Sequence, residues 1–302
     1  MRAIDLFAGL GGFSKGAEQA GCTVVWAANH WATAVEYHTA NHPGTEHACQ
    51  DLHQADWSAV PAHDLLLASP ACQGHTRARG KERPHHDATR STAWAVVSAL
   101  EFHRPPIAAI ENVHEFARWQ LFPAWCSALT ALGYAIAPHL IDAADHGVPQ
   151  HRVRLFIALT RSKHPIELKL PKRAHTPAEA IIDFAAGTWS PIHRPGRAAS
   201  TLARINTGRH QHGDRFLTAY YGNERGGRPL TRPIGTITTR DRWALIDGDR
   251  MRMLRVDEAR AGMGFPARTR LPASSRDAMH MLGNAVCPPV AADFISALRA
   301  AA

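Results

Sequence analysis

Short apolar runs alternate with longer amphipathic segments through the first half of the chain. The runs Ala3–Phe7, Val24–Ala28, Asp64–Ala68, Ile107–Ile110, Tyr134–Leu140 and Arg154–Leu159 have the length and side-chain pattern of buried strands. Between them, Ser14–Ala20, Trp31–Ala40, Thr92–His103 and Phe122–Leu132 carry apolar residues at helical spacing. Strand–helix alternation of this kind predicts an α/β fold built on a doubly wound, mostly parallel sheet. After Arg161 the text changes to Pro, Gly, Arg and His with few periodic segments, which predicts a smaller, irregular second domain. The chain then returns to a helical pattern at Val290–Ala300, apolar on one face. We therefore expect one domain from residues 1–162 plus 273–302 and another from 163–272.

Four segments carry candidate chemistry. Strand Ala3–Phe7 runs into Ala8-Gly9-Leu10-Gly11-Gly12 and then a helix, a nucleotide-binding corner in which glycines admit a ligand close to the backbone and the helix start offers free N–H groups. Tight turns also use such glycines for packing alone. Cys72 follows the run ending at Ala68-Ser69-Pro70 and precedes a basic loop; a cysteine there is either an inert apolar thiol or a nucleophile. Ile107–Ile110 ends in Glu111-Asn112, which serves either to cap a helix or to place a carboxyl at a strand end. Arg152 and Arg154 share one face of a strand, and two arginines on one face want an anionic or carbonyl-rich partner.

Taken in order, Asp5–Gly12, Pro70-Ala71-Cys72-Gln73, Glu111-Asn112-Val113, Gln150–Arg154, Arg232–Thr238 and Gly283-Asn284-Ala285-Val286 resemble the cytosine-C5 DNA methyltransferases, which use S-adenosylmethionine. The stretch from about residue 163 to 230, where that family places its target-recognition segment, is not covered. The resemblance implies a Rossmann-like catalytic and cofactor-binding domain beside a target-recognition domain and hinge. It implies that Cys72 attacks C6 of a flipped-out cytosine, that Glu111 acts as the acid at N3 with a raised pKa, and that Arg154 stabilises charge at O2. Arg152 either joins Arg154 or clamps a phosphate or carboxylate. For S-adenosylmethionine the resemblance implies contacts from Phe7, Ala8, Gly9, Gly11 and Gly12, from Asp51 and Leu52 to the adenine, and from Pro70, Asn284 and Ala285. Trp31 either stacks on that adenine or is an ordinary core aromatic. One departure stands out: where the family carries a glutamate for the ribose, this chain has Asn29-His30, so Asn29 or His30 takes that place.

Charge adds a partner. A formal net charge of +8 over 302 residues favours a polyanion, and the resemblance makes it double-stranded DNA. Gln73, Arg77, Arg79, Lys81 and Arg83, in a loop with glycines, are expected to close on DNA, and Arg209, Arg215 and Arg240 to meet bases or phosphates from the second domain. Asn206–Arg215 either offers arginine to guanine and asparagine or glutamine to adenine in the major groove or is a phosphate-contacting loop, and His210 and His212 read as lying in a basic, glycine-rich loop. His85-His86 and the pair His210 and His212 have no thiol partners and read as solvated or phosphate-facing, so no metal is expected; an odd count of five cysteines argues against a disulfide framework. No apolar run reaches the roughly 20 residues that span a bilayer. The expectation is a cytoplasmic, nucleoid-associated monomer. The same reaction on tRNA and a catalytically silent DNA-binding protein are the alternatives.

Overall fold

A computed structural model describes residues 1–70, 92–220 and 226–302. Chain contacts divide it into two compact units: Met1–Asp142 with Val153–Lys172 and Ala285–Ala302, and Ala143–Arg152 with Arg173–Asn284.

The first unit holds a seven-stranded sheet. Its strands are β1 (Arg2–Leu6), β2 (Thr23–Asn29), β3 (Glu46–Cys49), β4 (Leu65–Ala68), β5 (Ile107–Asn112), β6 (Ala135–Asp142) and β7 (Val153–Thr160). They lie in the order β3-β2-β1-β4-β5-β7-β6, parallel from β3 to β5 and antiparallel on both sides of β7. Among the described residues the helices are α1 (Gly12–Gln19), α2 (Ala32–Asn41), α3 (Thr92–His103), α4 (Phe122–Ala131) and, in the C-terminal segment, α8 (Pro288–Ala301). The α/β, mostly parallel architecture read from the sequence is the architecture observed.

Strand alternation decides which residues see which layer. Ile4 and Leu6 of β1 join a core with Val96 and Leu100 of α3 and Trp125 and Leu129 of α4. Ala3 and Asp5 point to the opposite face, and Asp5 meets α1 there. On that face Phe156 of β7 packs between Phe13 of α1 and Phe294 of α8, with ring centroids 6.1 and 5.1 Å away. The approach of α1 to α8 is close enough that a β-carbon on Gly16 would lie 2.3 Å from that of Ala291.

The second unit corrects one expectation: it is not irregular. It contains a five-stranded sheet in the order β10-β9-β11-β12-β8, from β8 (Ser190–Pro191), β9 (Arg215–Ala219), β10 (Arg228–Pro229), β11 (Trp243–Asp247) and β12 (Arg250–Met253). Helices α5 (Ala199–His212), α6 (Val256–Gly262) and α7 (Ser275–Asn284) accompany it. Ile192, Ile205, Phe216, Ala244, Ile246 and Met251 make a core in which Gly208 of α5 lets Phe216 come close. Among the described residues its strands are two to five residues long, too short for alternation to declare itself in a sequence rich in Pro and Arg. His210 and His212, expected in a loop, lie on α5, and the chain enters β9 at Arg215. Within the unit, Arg252 and Glu258 form a buried pair at 2.6 Å, and Glu258 also accepts the N–H groups of Asp183 and Arg255. The stretch Ser275–Ala301 has the length and hydropathy of a membrane span, yet it breaks between α7 and α8 and 67% of its apolar window is buried within the protein.

A side chain at position 16 has nowhere to go. Gly16→Val is expected to lower unfolding stability by roughly 1–3 kcal/mol, the usual range for overpacking, seen as a lower urea midpoint at unchanged slope.

Candidate active site

The order of the sheet reverses at β1 and β4, the place in an open α/β sheet where a crevice forms beyond the strand ends. β1 stops at Leu6, and the chain turns through Phe7, whose φ of 62° is left-handed and uncommon for an aromatic residue. Gly11, with φ of 84°, caps α1. The Ala8 N–H donates to the Ala28 carbonyl at 3.0 Å, pinning the turn to the end of β2. Among the described residues a β-carbon on Gly9 would meet nothing within 4 Å, so they leave that face of the turn open, and the first N–H groups of α1 have no intrahelical acceptor. The N–H donors and open cradle fit the carboxylate of a ligand.

The next two strand ends bring in the carboxyl. Glu111 is near the end of β5, largely buried, and Arg154 on β7 reaches it with Nε 3.4 Å from Oε1. The pairing makes this contact possible: Glu111 lies opposite Phe156, and Arg154 is the diagonal neighbour on the same face. One residue on, the Asn112 side-chain amide donates to the Pro70 carbonyl at 3.0 Å and its Oδ1 accepts the Val113 N–H at 2.9 Å. The end of β4 is thereby tied to the end of β5. Cys72, Gln73, Arg77, Arg79, Lys81 and Arg83 lie outside the described residues.

The remaining candidates are placed as follows. Asn29 Oδ1 accepts the Trp31 N–H at 2.9 Å and closes the turn before α2, while His30 is exposed and Trp31 half-buried. Leu52 is buried; Asp51 is exposed, and its carboxylate accepts the His53 N–H at 3.0 Å. In the second unit, Arg152 immediately precedes β7 and is 3% exposed. Its guanidinium donates to the Ile237 carbonyl at 3.0 Å and the Gly283 carbonyl at 2.8 Å, so it braces the unit from within. Asn284 ends α7 in that unit, and Ala285 opens the return to the first.

A family model for C-5 cytosine-specific DNA methylases matches residues 1–191. The chain belongs to this family. The methylase is 25% identical to the Type II methyltransferase M.NlaX of Neisseria lactamica over 99% of this chain and 96% of that protein. It is 29% identical to M.HhaI of Haemophilus parahaemolyticus, over 57% of this chain and 53% of that protein, and 33% identical to M.HgiDI of Herpetosiphon aurantiacus over 52% and 51%. The chain thus aligns with about half the length of the last two. Among solved structures, a DNA modification methyltransferase encoded within an E. coli prophage superposes with a TM-score of 0.75 at 17% identity, over 100% of this chain and 99% of that one. Dnmt2 of Spodoptera frugiperda gives 0.72 at 18%, over 99% of each. At such identities these two structures speak for the shared fold alone.

The arginines expected to face DNA from the methylase's second unit are mostly engaged. Arg209 pairs with Asp249 at 2.8 Å and also donates to the Gly248 carbonyl; Arg215 pairs with Asp247 at 2.7 Å and lies over the Phe184 ring. With one partner of each pair in solvent, such pairs contribute little to stability. Arg240 is exposed at the rim of a cavity of about 700 Å³ that Arg255, Asp257 and Arg276 also line.

A polar network in the methylase's first unit went unnoticed in the sequence. Asp5 Oδ2 accepts from both the N–H and the hydroxyl of Ser14, at 3.1 and 2.6 Å. Ser14 Oγ lies 3.0 Å from His38 Nε2, and His38 Nδ1 lies 2.7 Å from His47 Nε2. Beside them His42 Nδ1 is 2.6 Å from Glu18, which also holds Lys15 at 2.8 Å. Its signal was the i,i+4 spacing of Ser14 with Glu18 and of His38 with His42 on facing helices. Burial pushes the Asp5 carboxyl from 3.8 up to about 7, against the opposing pull of Ser14 and His42. Glu18 is held at about 2, because its bonds to His42 and Lys15 outweigh its partial burial.

Two outcomes follow. The folded protein binds the Asp5 proton more tightly than the unfolded chain does, so this group makes stability fall as pH rises from about 4 to about 7; Asp5→Asn should flatten that slope in urea titrations taken across the range. Arg152→Met leaves the Ile237 and Gly283 carbonyls without their donor and should cost roughly 2–4 kcal/mol of stability, part of it restored by Arg152→Lys.

Proposed function

We propose that the protein methylates C5 of a flipped-out cytosine in double-stranded DNA as the modification partner of a restriction system, with S-adenosylmethionine as donor. The observation that carries this reading is the buried Glu111–Arg154 pair at the crevice, joined through Asn112 to Pro70, two positions before Cys72. The modification role is supported by relatives named Type II methyltransferases, and DNA as substrate by the family and the basic charge.

C5 of cytosine is a poor nucleophile until something adds to C6. Cys72, as the thiolate, forms an S–C6 bond, while Glu111 supplies the proton that N3 needs as the ring loses aromaticity. Arg154 keeps Glu111 oriented and donates to O2, where negative charge develops. Bound S-adenosylmethionine supplies an electrophilic methyl group. N3 returns its proton to Glu111, the C5 proton passes to a water acting as base, and the electron pair of that C–H bond expels the thiolate from C6 as the aromatic ring is restored. A base in the duplex stack cannot present C6 to a thiolate, so the nucleotide leaves the helix at a cost of a few kcal/mol. Lys81 with Arg77, Arg79 and Arg83, following Gln73, meet the DNA backbone around it, and Arg209, Arg215 and Arg240 contact the target from the second domain.

The turn Phe7-Ala8-Gly9 with Gly11 and Gly12 holds the methionine part of the donor, with Pro70, Asn284 and Ala285 completing the pocket. Asp51 and Leu52 meet adenine, Trp31 stacks on it, and His30 takes the ribose hydroxyls, since the Asn29 side chain already closes its own turn. The reaction belongs in the cytoplasm, at the nucleoid.

Oligonucleotides containing 5-fluorocytosine should form a stable covalent complex with the parent in the presence of S-adenosylmethionine and none with Cys72→Ser; transfer of a labelled methyl group to tRNA in place of DNA would redirect the assignment. Glu111→Gln should lower kcat by about 10²–10⁴-fold.

A further inference from the structure

Asp5, Ser14, His38 and His47 form a single file from a buried carboxyl to a half-exposed imidazole. A hydroxyl has one hydrogen and a neutral imidazole one N–H, so each bond in the file fixes the direction of the next. With Asp5 ionised, Ser14 donates to it, His38 Nε2–H donates to Ser14, and His47 Nε2–H donates to His38 Nδ1. With Asp5 protonated on Oδ2, that O–H donates to Ser14 and every bond reverses, until His47 Nε2 accepts and its Nδ1 carries the hydrogen. The two states differ by one proton, taken up at the half-exposed His47, whose ring also bonds the Thr45 backbone, and delivered to Asp5 through successive transfers, with both imidazoles neutral before and after.

We propose that this file is a two-state proton wire by which Asp5 matches its charge to that of the bound cofactor, a positioning role that rests on the cofactor assignment above. The Asp5 carboxyl lies directly behind the turn Phe7–Gly12, because it accepts the N–H of Ser14 in the first turn of the helix that Gly11 caps. Methyl transfer converts a sulfonium cation into a neutral thioether, and a buried carboxylate is poorly screened from such a change. Binding of the cation favours ionised Asp5; its conversion to thioether returns the proton. The wider surroundings agree with neutral imidazoles. Burial lowers the pKa of His38 and His47, with the neighbouring His42 adding to the effect on both. His42 and Lys15 sit against Glu18, the one other carboxylate in the network, so Glu18 keeps its own charge balanced. His42 also touches the turn: a β-carbon on Gly11 would lie 2.4 Å from its Nε2.

Proton release on binding tests the wire with the intact chain. Calorimetric titration in two buffers of different ionisation enthalpy, near neutral pH, should show more protons released by S-adenosylmethionine than by S-adenosylhomocysteine, whose amino and carboxylate groups are the same. Asp5→Asn should abolish that difference while still binding both. His47→Leu, at a half-exposed position, should keep the difference at equilibrium but make release trail binding in stopped-flow traces with a pH indicator, where the parent shows one common rate. Equal release by the two ligands in the parent, or an undiminished difference in Asp5→Asn, would overturn the proposal, and so would unaltered kinetics in His47→Leu. Absence of S-adenosylmethionine binding by the parent would instead overturn the cofactor assignment on which the wire's task depends.

Discussion

Parallel pairing of β1, β4 and β5 puts three strand ends at one edge of the sheet, and the glycine turn, Pro70 and Glu111 are placed by that constraint. The register sets Leu6 beside Ala68 and Ala68 beside Ile110, so the glycine turn, Pro70 and Glu111 follow their strands at the same level. Two hydrogen bonds then fasten the edge: Ser69 N–H to the Leu6 carbonyl at 3.2 Å and Asn112 to the Pro70 carbonyl at 3.0 Å. Burial of β1, β4 and β5 on both faces makes this register costly to change, because a shift of one residue would send each strand's side chains to the wrong layer.

Asp5 and Glu111 share one face of this sheet, yet the two carboxyl groups are accommodated differently. Glu111 faces the crevice and is paired with a guanidinium that remains charged across the range in which proteins fold. Asp5 faces the helices, where its Oδ1 has no hydrogen-bond partner among the described residues and its Oδ2 has only Ser14. An unpaired carboxylate cannot stay ionised at little cost in such a place, whereas a paired one can. The two therefore differ in kind: Glu111 carries its counter-ion on the neighbouring strand, and Asp5 depends on hydrogens that can be reoriented.

Features that repeat along the chain were legible before the structure. Buried strands such as Leu65-Leu66-Leu67-Ala68 are continuous apolar runs, and a strand leading into Gly9-Leu10-Gly11-Gly12 marks its own turn. What was hidden depended on contacts between distant positions. The strands of the second sheet are brief, and Arg250 or Arg252 in a strand reads as loop until Trp189, Asp247 or Glu258 is seen beside it. Arg152 and Arg154 looked equivalent on one strand, yet Arg154 belongs to the strand proper while Arg152 spends its donors on two carbonyls roughly 85 and 131 positions away in the chain. No spacing rule separates two such arginines, because the separation lies in which backbone groups fold against them.

The histidines make the same point in reverse. A count of twenty suggests surface and solvent, but His38 in the last turn of α2 and His42 just beyond its end are buried, each facing a polar residue of α1. Their presence inside is explained only if their hydrogens are all spoken for, since a buried imidazole with an unmet N–H would cost about as much as the packing it provides. His38 meets that condition in either orientation of its file, with Ser14 on one nitrogen and His47 on the other. A side chain that is satisfied in both orientations can adopt either without breaking the packing of α1 on α2, and that is the property a proton path through a folded core requires.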